Sequence, residues 1–146
     1  MTSFRDRLTR LFDDCAHFEI MEIADVLNFA GNQKIQTDLP LATRRLWIFV
    51  AHRWPGLTAL GAWGDRSHKA RKSCHNSGRA IDLMTTNVAM HKVIVAYFLI
   101  HHKEHEVTLI ISRGEYASAK TGWKMKPYPR RFVMPHNDHV HLSVNC

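Results

Sequence analysis

The spacing of apolar positions changes part-way along the chain. Phe4, Leu8, Leu11 and Phe12 recur at i, i+4, i+7 and i+8, and Met21, Ala24 and Leu27 sit within Phe18 to Ala30 ahead of a Gly31-Asn32 stop, which predicts two amphipathic helices. After the Asp38-Leu39-Pro40 break, Leu41 to Trp54 predicts a third helix, ended by Pro55-Gly56. Leu57 to Trp63 then reads as a short buried strand, and Gly64 to Cys74, polar, basic and nearly free of aliphatics, as a loop. A turn centred on Gly78 feeds Arg79 to Met84, whose alternation predicts a strand. Asn87 is placed to cap a helix running to about His102, with Val88, His91, Val95, Phe98 and Leu99 as its spaced face. Val107 to Ser112 is β-branched and apolar, and with Glu115 to Ala119 across an Arg113-Gly114 turn it predicts a hairpin. Lys120 to Pro135, carrying Pro127, Pro129 and Pro135, reads as a loop over one edge, and His139 to Val144 alternates as a closing strand. Helices first and a mixed part afterwards predict an α+β fold.

With 146 residues and no linker, repeat or low-complexity tract, the chain reads as one domain able to bury a core without disulfide support. Cys15, Cys74 and Cys146 are odd in number and far apart, so reduced thiols and synthesis in the cytosol are expected. The first residues are charged throughout and show no signal peptide, and the longest apolar run, Val93 to Ile100, is too short to span a bilayer. Lys and Arg number 20 against 13 Asp and Glu, a net +7 concentrated at Arg66 to Lys72 and Lys120 to Arg131. Such a field attracts polyanions, whether nucleic acid or the anionic polymers of a bacterial envelope.

Two stretches change this picture: S-C-H-N-S-G-R-A-I-D at Ser73 to Asp82, and D-H-V-H at Asp138 to His141. His75, Asp82 and His141 offer two nitrogens and one oxygen, the three protein ligands of a catalytic zinc that keeps its fourth position open. A strand turns alternate side chains to one face, so His139 and His141 should point the same way, while Asp138, in the turn before them, is the candidate to receive a proton from the attacking water. Strand parity separates Asp82 from Arg79, its nearest alternative partner, and Ser73 and Ser77 are placed to orient ligands or to satisfy loop amides. His101, His102, Glu104 and His105 resemble a metal cluster but fall at a helix C-terminus, where capping or surface roles are expected. Cys74 lacks a separate base and is not expected to be a nucleophile, and Trp47, Trp54, Trp63 and Trp123 are expected in the core or along a groove wall.

The pattern S-x-H-x-x-G-x-A-x-D, here Ser73, His75, Gly78, Ala80 and Asp82, followed by H-x-H at His139 and His141, resembles the M15-type zinc peptidases. These include D-Ala-D-Ala carboxypeptidases, dipeptidases and phage endolysins that cut peptidoglycan peptides. The tail, His136, Asp138 to His141, Ser143 and Val144, is similar to the H-x-D-H-V-H-x-S-V of small actinobacterial and phage members, and the likeness runs from about Leu57 to Val144. It implies a Hedgehog/DD-peptidase-like antiparallel sheet flanked by helices, with residues 1–56 a helical N-terminal part and 57–146 the catalytic core. It further implies zinc on His75, Asp82 and His141, Asp138 as general base, His139 assisting, and Arg66, within G-A-W-G-D-R, contacting the substrate carbonyl or carboxylate. The expected partner is a bacterial peptidoglycan peptide, with anionic wall polymers nearby and no specific nucleic acid. The expected state is a monomer, made in the cytoplasm and reaching the wall after release by a holin or on a virion. The rival expectation is a non-catalytic zinc-containing or nucleic-acid-binding protein on the same fold. Against it stand the intact ligand set and the lack of zinc-finger or helix-turn-helix spacing.

Overall fold

A computed structural model describes residues 39–60, 73–129 and 136–146. The two helices expected before Gly31, together with Cys15, Trp63, Arg66 and the basic run at 66–72, lie outside the described residues.

Among the described residues six strands form one antiparallel sheet: β1 (Thr58–Leu60), β2 (Ala80–Met84), β3 (Val107–Ser112), β4 (Glu115–Ser118), β5 (Lys126–Pro127) and β6 (His139–Val144), in the order β1-β2-β6-β3-β4-β5. The fold is α+β. Helix α1 (Leu41–Arg53) packs over β1 and β2, and helix α2 (Val88–His101), which connects β2 to β3, packs over β3 and β6. The last strand thus enters between β2 and β3 and closes the sheet from its middle.

Local chemistry explains where these elements start and stop. Asn87 Oδ1 accepts from the Met90 main-chain N–H at 3.1 Å, capping α2 as its sequence position predicts. His91, fully buried on α2, donates from Nε2 to the Thr85 carbonyl at 2.7 Å, which leaves Nδ1 to accept from the Ser112 hydroxyl at 2.7 Å and pins the helix to β3. The β3–β4 turn takes Arg113 and Gly114 through φ of 48° and 79°, the doubly left-handed geometry that a two-residue hairpin requires.

The core lies on the helical side of the sheet. Ile81 and Leu83 of β2, Val140, Leu142 and Val144 of β6 and Ile110 of β3 meet Leu46, Trp47 and Val50 of α1 and Ile94 and Phe98 of α2. Each such side chain contributes about 1.5–3 kcal/mol when fully buried. Beside it Phe49 stacks on Tyr97 with ring centroids 5.2 Å apart, and the Tyr97 hydroxyl meets His105 Nε2 at 2.9 Å. His102 stacks on Trp123 at 3.6 Å and His101 meets Glu104 at 2.8 Å, so these histidines take part in packing and in the end of α2. Trp47 and Trp54 are core residues, as expected.

Two expectations are corrected. Lys120 to Pro135 is not wholly irregular: a 3-10 turn at Ala119–Thr121 and strand β5 interrupt it, and β5 is short enough, at the sheet edge, to tolerate Pro127. The thiols are not all reduced: Cys74 and Cys146 form a disulfide, Cα atoms 6.0 Å apart across 72 residues of sequence. Pairing of Ala80 with Ser143 brings the chain before β2 beside the chain after β6, and the Arg79 carbonyl accepts from the Val144 N–H at 2.8 Å. Sequence separation alone hides that proximity. Closing a loop of this length constrains the unfolded chain by about 4 kcal/mol. Cys146→Ser should therefore lower the unfolding free energy by roughly 2–5 kcal/mol in denaturant titration, and an unchanged midpoint would count against the bridge.

Candidate metal centre

Asp82 and His141 are direct cross-strand partners in the β2–β6 ladder, and on the face away from the helices His139 is the diagonal neighbour of Asp82, because Met84 pairs with His139. The alternation that sends Val140 and Leu142 into the core therefore sends His139 and His141 to the opposite face. His75 arrives separately, on a 3-10 turn (Cys74–Ser77) just before β2. Ser73 Oγ accepts from the His75 main-chain N–H at 3.3 Å and Ser77 Oγ donates to the Cys74 carbonyl at 3.1 Å, so both serines shape this turn by satisfying loop groups. Gly78 closes it at φ 67° with its N–H on the His75 carbonyl at 3.1 Å, the left-handed geometry that glycine adopts without strain.

Three atoms converge from these elements. His75 Nε2 lies 3.2 Å from His141 Nδ1 and 3.3 Å from Asp82 Oδ1, and His141 Nδ1 lies 3.1 Å from the same oxygen. All three residues are buried. Ligand atoms about 2.0–2.1 Å from an ion at the centre of a tetrahedron lie roughly 3.3–3.4 Å apart, so the observed triangle has close to the dimensions of one tetrahedral face. Hydrogen bonding alone accounts for it less well. If both imidazoles donate to Asp82, two N–H groups confront each other across the 3.2 Å His–His contact, whereas a cation lets all three lone pairs point at one centre. These residues fit a metal ion.

Electrostatics prepare the donors. Burial pushes the Asp82 carboxyl up, but bonds to His141 and His75 outweigh it and hold the group well below the usual carboxylate range, hence ionised. Burial holds His141 below the usual histidine range despite the opposing pull of Asp82, favouring the neutral, donor form. On the far side of that ring Nε2 meets Ser143 Oγ at 2.9 Å, an arrangement in which Nε2–H donates to the hydroxyl and leaves Nδ1 free to ligate. Arg79, once an alternative partner for Asp82, instead donates from Nη1 to the Asn145 carbonyl at 2.8 Å.

His139 stands at the edge of the triangle, its Nε2 3.7 Å from Asp82 Oδ1, beyond the spacing of the three converging atoms. Its Nδ1 meets Asp138 Oδ1 at 2.6 Å, and that bond, foremost among the causes, holds the exposed Asp138 carboxyl below its ordinary value. The Asp138 side chain is thus engaged with His139. Two further residues belong to the site. Ser143 shares a strand face with His141 by its i+2 position, a signal legible in H-x-S, and the His136 ring stands 4.6 Å from that of His139. Cys74, bonded to Cys146, is not a free nucleophile. Arg66 lies outside the described residues.

Residues 38–139 match the family described as "VldE, C-terminal domain". The chain belongs to that family. The matched stretch takes in His75, Asp82, Asp138 and His139 and stops two residues before His141, so it covers the turn and β2 and only the first residue of β6. No curated protein and no solved structure matches the chain.

Proposed function

We propose that this protein is a zinc-dependent peptidase that hydrolyses peptide bonds of bacterial peptidoglycan, with His75, Asp82 and His141 as the zinc ligands. The observation that carries this reading is the near-tetrahedral triangle of two nitrogens and one oxygen, with an acid–histidine pair at its side. The order of ligands, His then Asp then the second His of H-x-H, is the one found in the D-Ala-D-Ala carboxypeptidases and related endolysins that the sequence resembles. Three protein ligands with an open position suit catalysis, whereas a structural zinc is closed by four.

A zinc ion bound there supplies Lewis acidity toward a scissile carbonyl and makes water a better nucleophile at neutral pH. Asp138 accepts the Nδ1–H of His139, which fixes the ring's tautomer and leaves the Nε2 lone pair toward Asp82 and the site. His139 then takes the proton of the attacking water at Nε2 and returns it to the leaving amine. This reading moves the base from Asp138, where sequence likeness puts it, to His139, with Asp138 as its positioning residue. Arg66 is retained as the candidate contact for a substrate carboxylate.

The place of action fits the chemistry. A disulfide next to the first ligand persists in oxidising surroundings, which suits an enzyme that works at the wall after leaving the cytosol. Among the described residues no helix is long and apolar enough to cross a membrane.

The test is mass spectrometry of fragments released from purified peptidoglycans of several chemotypes, with and without chelator. Fragments that vanish on chelation and return with added zinc are the expected result. If the zinc form releases no fragments from any chemotype and instead binds nucleic acid tightly at physiological salt, the peptidase reading fails and the +7 charge marks a polyanion-binding protein.

A further inference from the structure

The Cys74–Cys146 bridge adjoins the metal centre at both of its ends. Cys74 directly precedes His75, and Cys146 ends the short tail that leaves β6, the strand of His141. We propose that this bridge is a redox latch on the metal centre: closed, it holds His75 in the triangle with Asp82 and His141, and opened by a dithiol it lowers the affinity for zinc. The proposal rests on the zinc reading above.

His75 is the member of the triangle that comes from outside the sheet. Asp82 and His141 are held as partners by the β2–β6 ladder itself, whereas His75 rides on the 3-10 turn ahead of β2. Three main-chain bonds, Asn76 N–H to the Ser73 carbonyl, Gly78 N–H to the His75 carbonyl and Arg79 N–H to the Cys74 carbonyl, run within residues 73–79 and keep the turn's shape. Its root is fixed by Arg79, whose carbonyl accepts from the Val144 N–H at 2.8 Å and whose Nη1 donates to the Asn145 carbonyl at 2.8 Å. The bridge adds a hold at the other end of the turn, on Cys74. That hold is firm because the tail is anchored in its own right, with Asn145 N–H on the Glu106 carbonyl at 3.0 Å and Cys146 N–H on Thr108 Oγ1 at 3.3 Å. With the bridge closed, His75 lies between two fixed points. Opening it leaves the hold at Arg79 and widens the range of positions open to His75, so part of the binding free energy must then go into ordering the ligand.

The bridge is also within reach of a reductant. Cys146 is exposed and Cys74 half-buried, and exposed bridges form the labile, regulatory class, whereas bridges shielded in a core resist reduction. A thiolate of the dithiol attacks the Cys146 sulfur and forms a mixed disulfide, the Cys74 sulfur leaves and takes up a proton, and the second thiol of the reductant then displaces Cys146, which takes up another. Two electrons pass to the bridge, and the dithiol ends as a disulfide. Closure is the reverse exchange with a disulfide oxidant. In the reducing cytosol the latch is open and zinc is held weakly, and in oxidising surroundings it closes and the centre fills. Such a device keeps a hydrolytic centre weak where the chain is made.

The test uses the intact chain and zinc, titrated against a competing chelator of known affinity. The oxidised wild type should bind zinc roughly tenfold or more tightly than the double variant Cys74→Ser/Cys146→Ser, the scale of losing a group that orients a ligand, and the double variant offers the ion no new thiolate at these positions. Circular dichroism at low temperature checks that both are folded. A second measurement needs no variant. Coupling is reciprocal, so zinc should make the wild-type bridge harder to reduce by the same factor, about 30 mV for each tenfold, in a graded dithiol buffer read by peptide-level mass spectrometry of labelled Cys74 and Cys146. A bridge that serves stability alone would show no zinc dependence there. Equal zinc affinity in the two proteins, or a bridge whose reduction zinc leaves unchanged or makes easier, overturns the latch while the metal centre stands. Absence of zinc binding by either protein overturns the metal reading and the latch together.

Discussion

His141→Ala should reduce the metal content of the purified protein from about one ion per chain to near none, the largest single effect expected in this molecule. His141 is the candidate ligand delivered from the middle of the sheet, paired directly with Asp82 in the β2–β6 ladder, and no other described side chain reaches both Asp82 and His75 within 3.3 Å. Its removal leaves a buried carboxylate with one close partner fewer, so the metal-free variant should also lose stability, by roughly 1–3 kcal/mol for the unmet hydrogen-bonding need. Elemental analysis of protein purified without added metal, together with denaturant titration, reads both effects. Ser143→Ala serves as the graded control: the hydroxyl only orients the His141 ring, so affinity should fall about 10–100-fold without vanishing. Full metal content in His141→Ala would remove this residue from the ligand set.

The convergence of His75, Asp82 and His141 was legible because their chemistry and their spacing coincide. His75 and Asp82 flank a glycine that must turn, and the parity of His139 and His141 follows from the period of a strand whether or not its neighbours are known. The capped helix from Asn87 and the Arg113-Gly114 hairpin were equally readable, since caps and tight turns are set by a few adjacent residues. What depends on long-range pairing was not. The insertion of β6 between β2 and β3 decides that Asp82 faces His141 and that Cys74 meets Cys146, and no local pattern carries either fact. The bond between Asp138 and His139 was hidden for a different reason: adjacent residues converge only when the turn before a strand redirects one of them, and a rotamer is not written in spacing.

The relative weight of Asp138 and His139 decides how the proposed proton transfer runs. His139→Gln should keep the metal, since its Nε2 stands outside the ligand triangle, while lowering kcat by roughly a hundredfold or more, the scale of a lost general base. Asp138→Asn should also keep the metal and should cost less, roughly tenfold, because the amide oxygen can still accept the Nδ1–H of His139 and hold its tautomer, while the charge that supports the ring is gone. Neither change should raise KM as strongly as it lowers kcat, because both groups act on the proton rather than on substrate binding. Asp138→Ala, which removes the acceptor altogether, should fall between the two, and its loss should not add to that of His139→Gln when the two are combined, as expected of residues acting as one unit. An Asp138→Asn loss equal to or greater than that of His139→Gln would return the role of base to the carboxylate. In that case the 2.6 Å contact belongs to a resting arrangement that substrate binding must break before the carboxylate reaches the water.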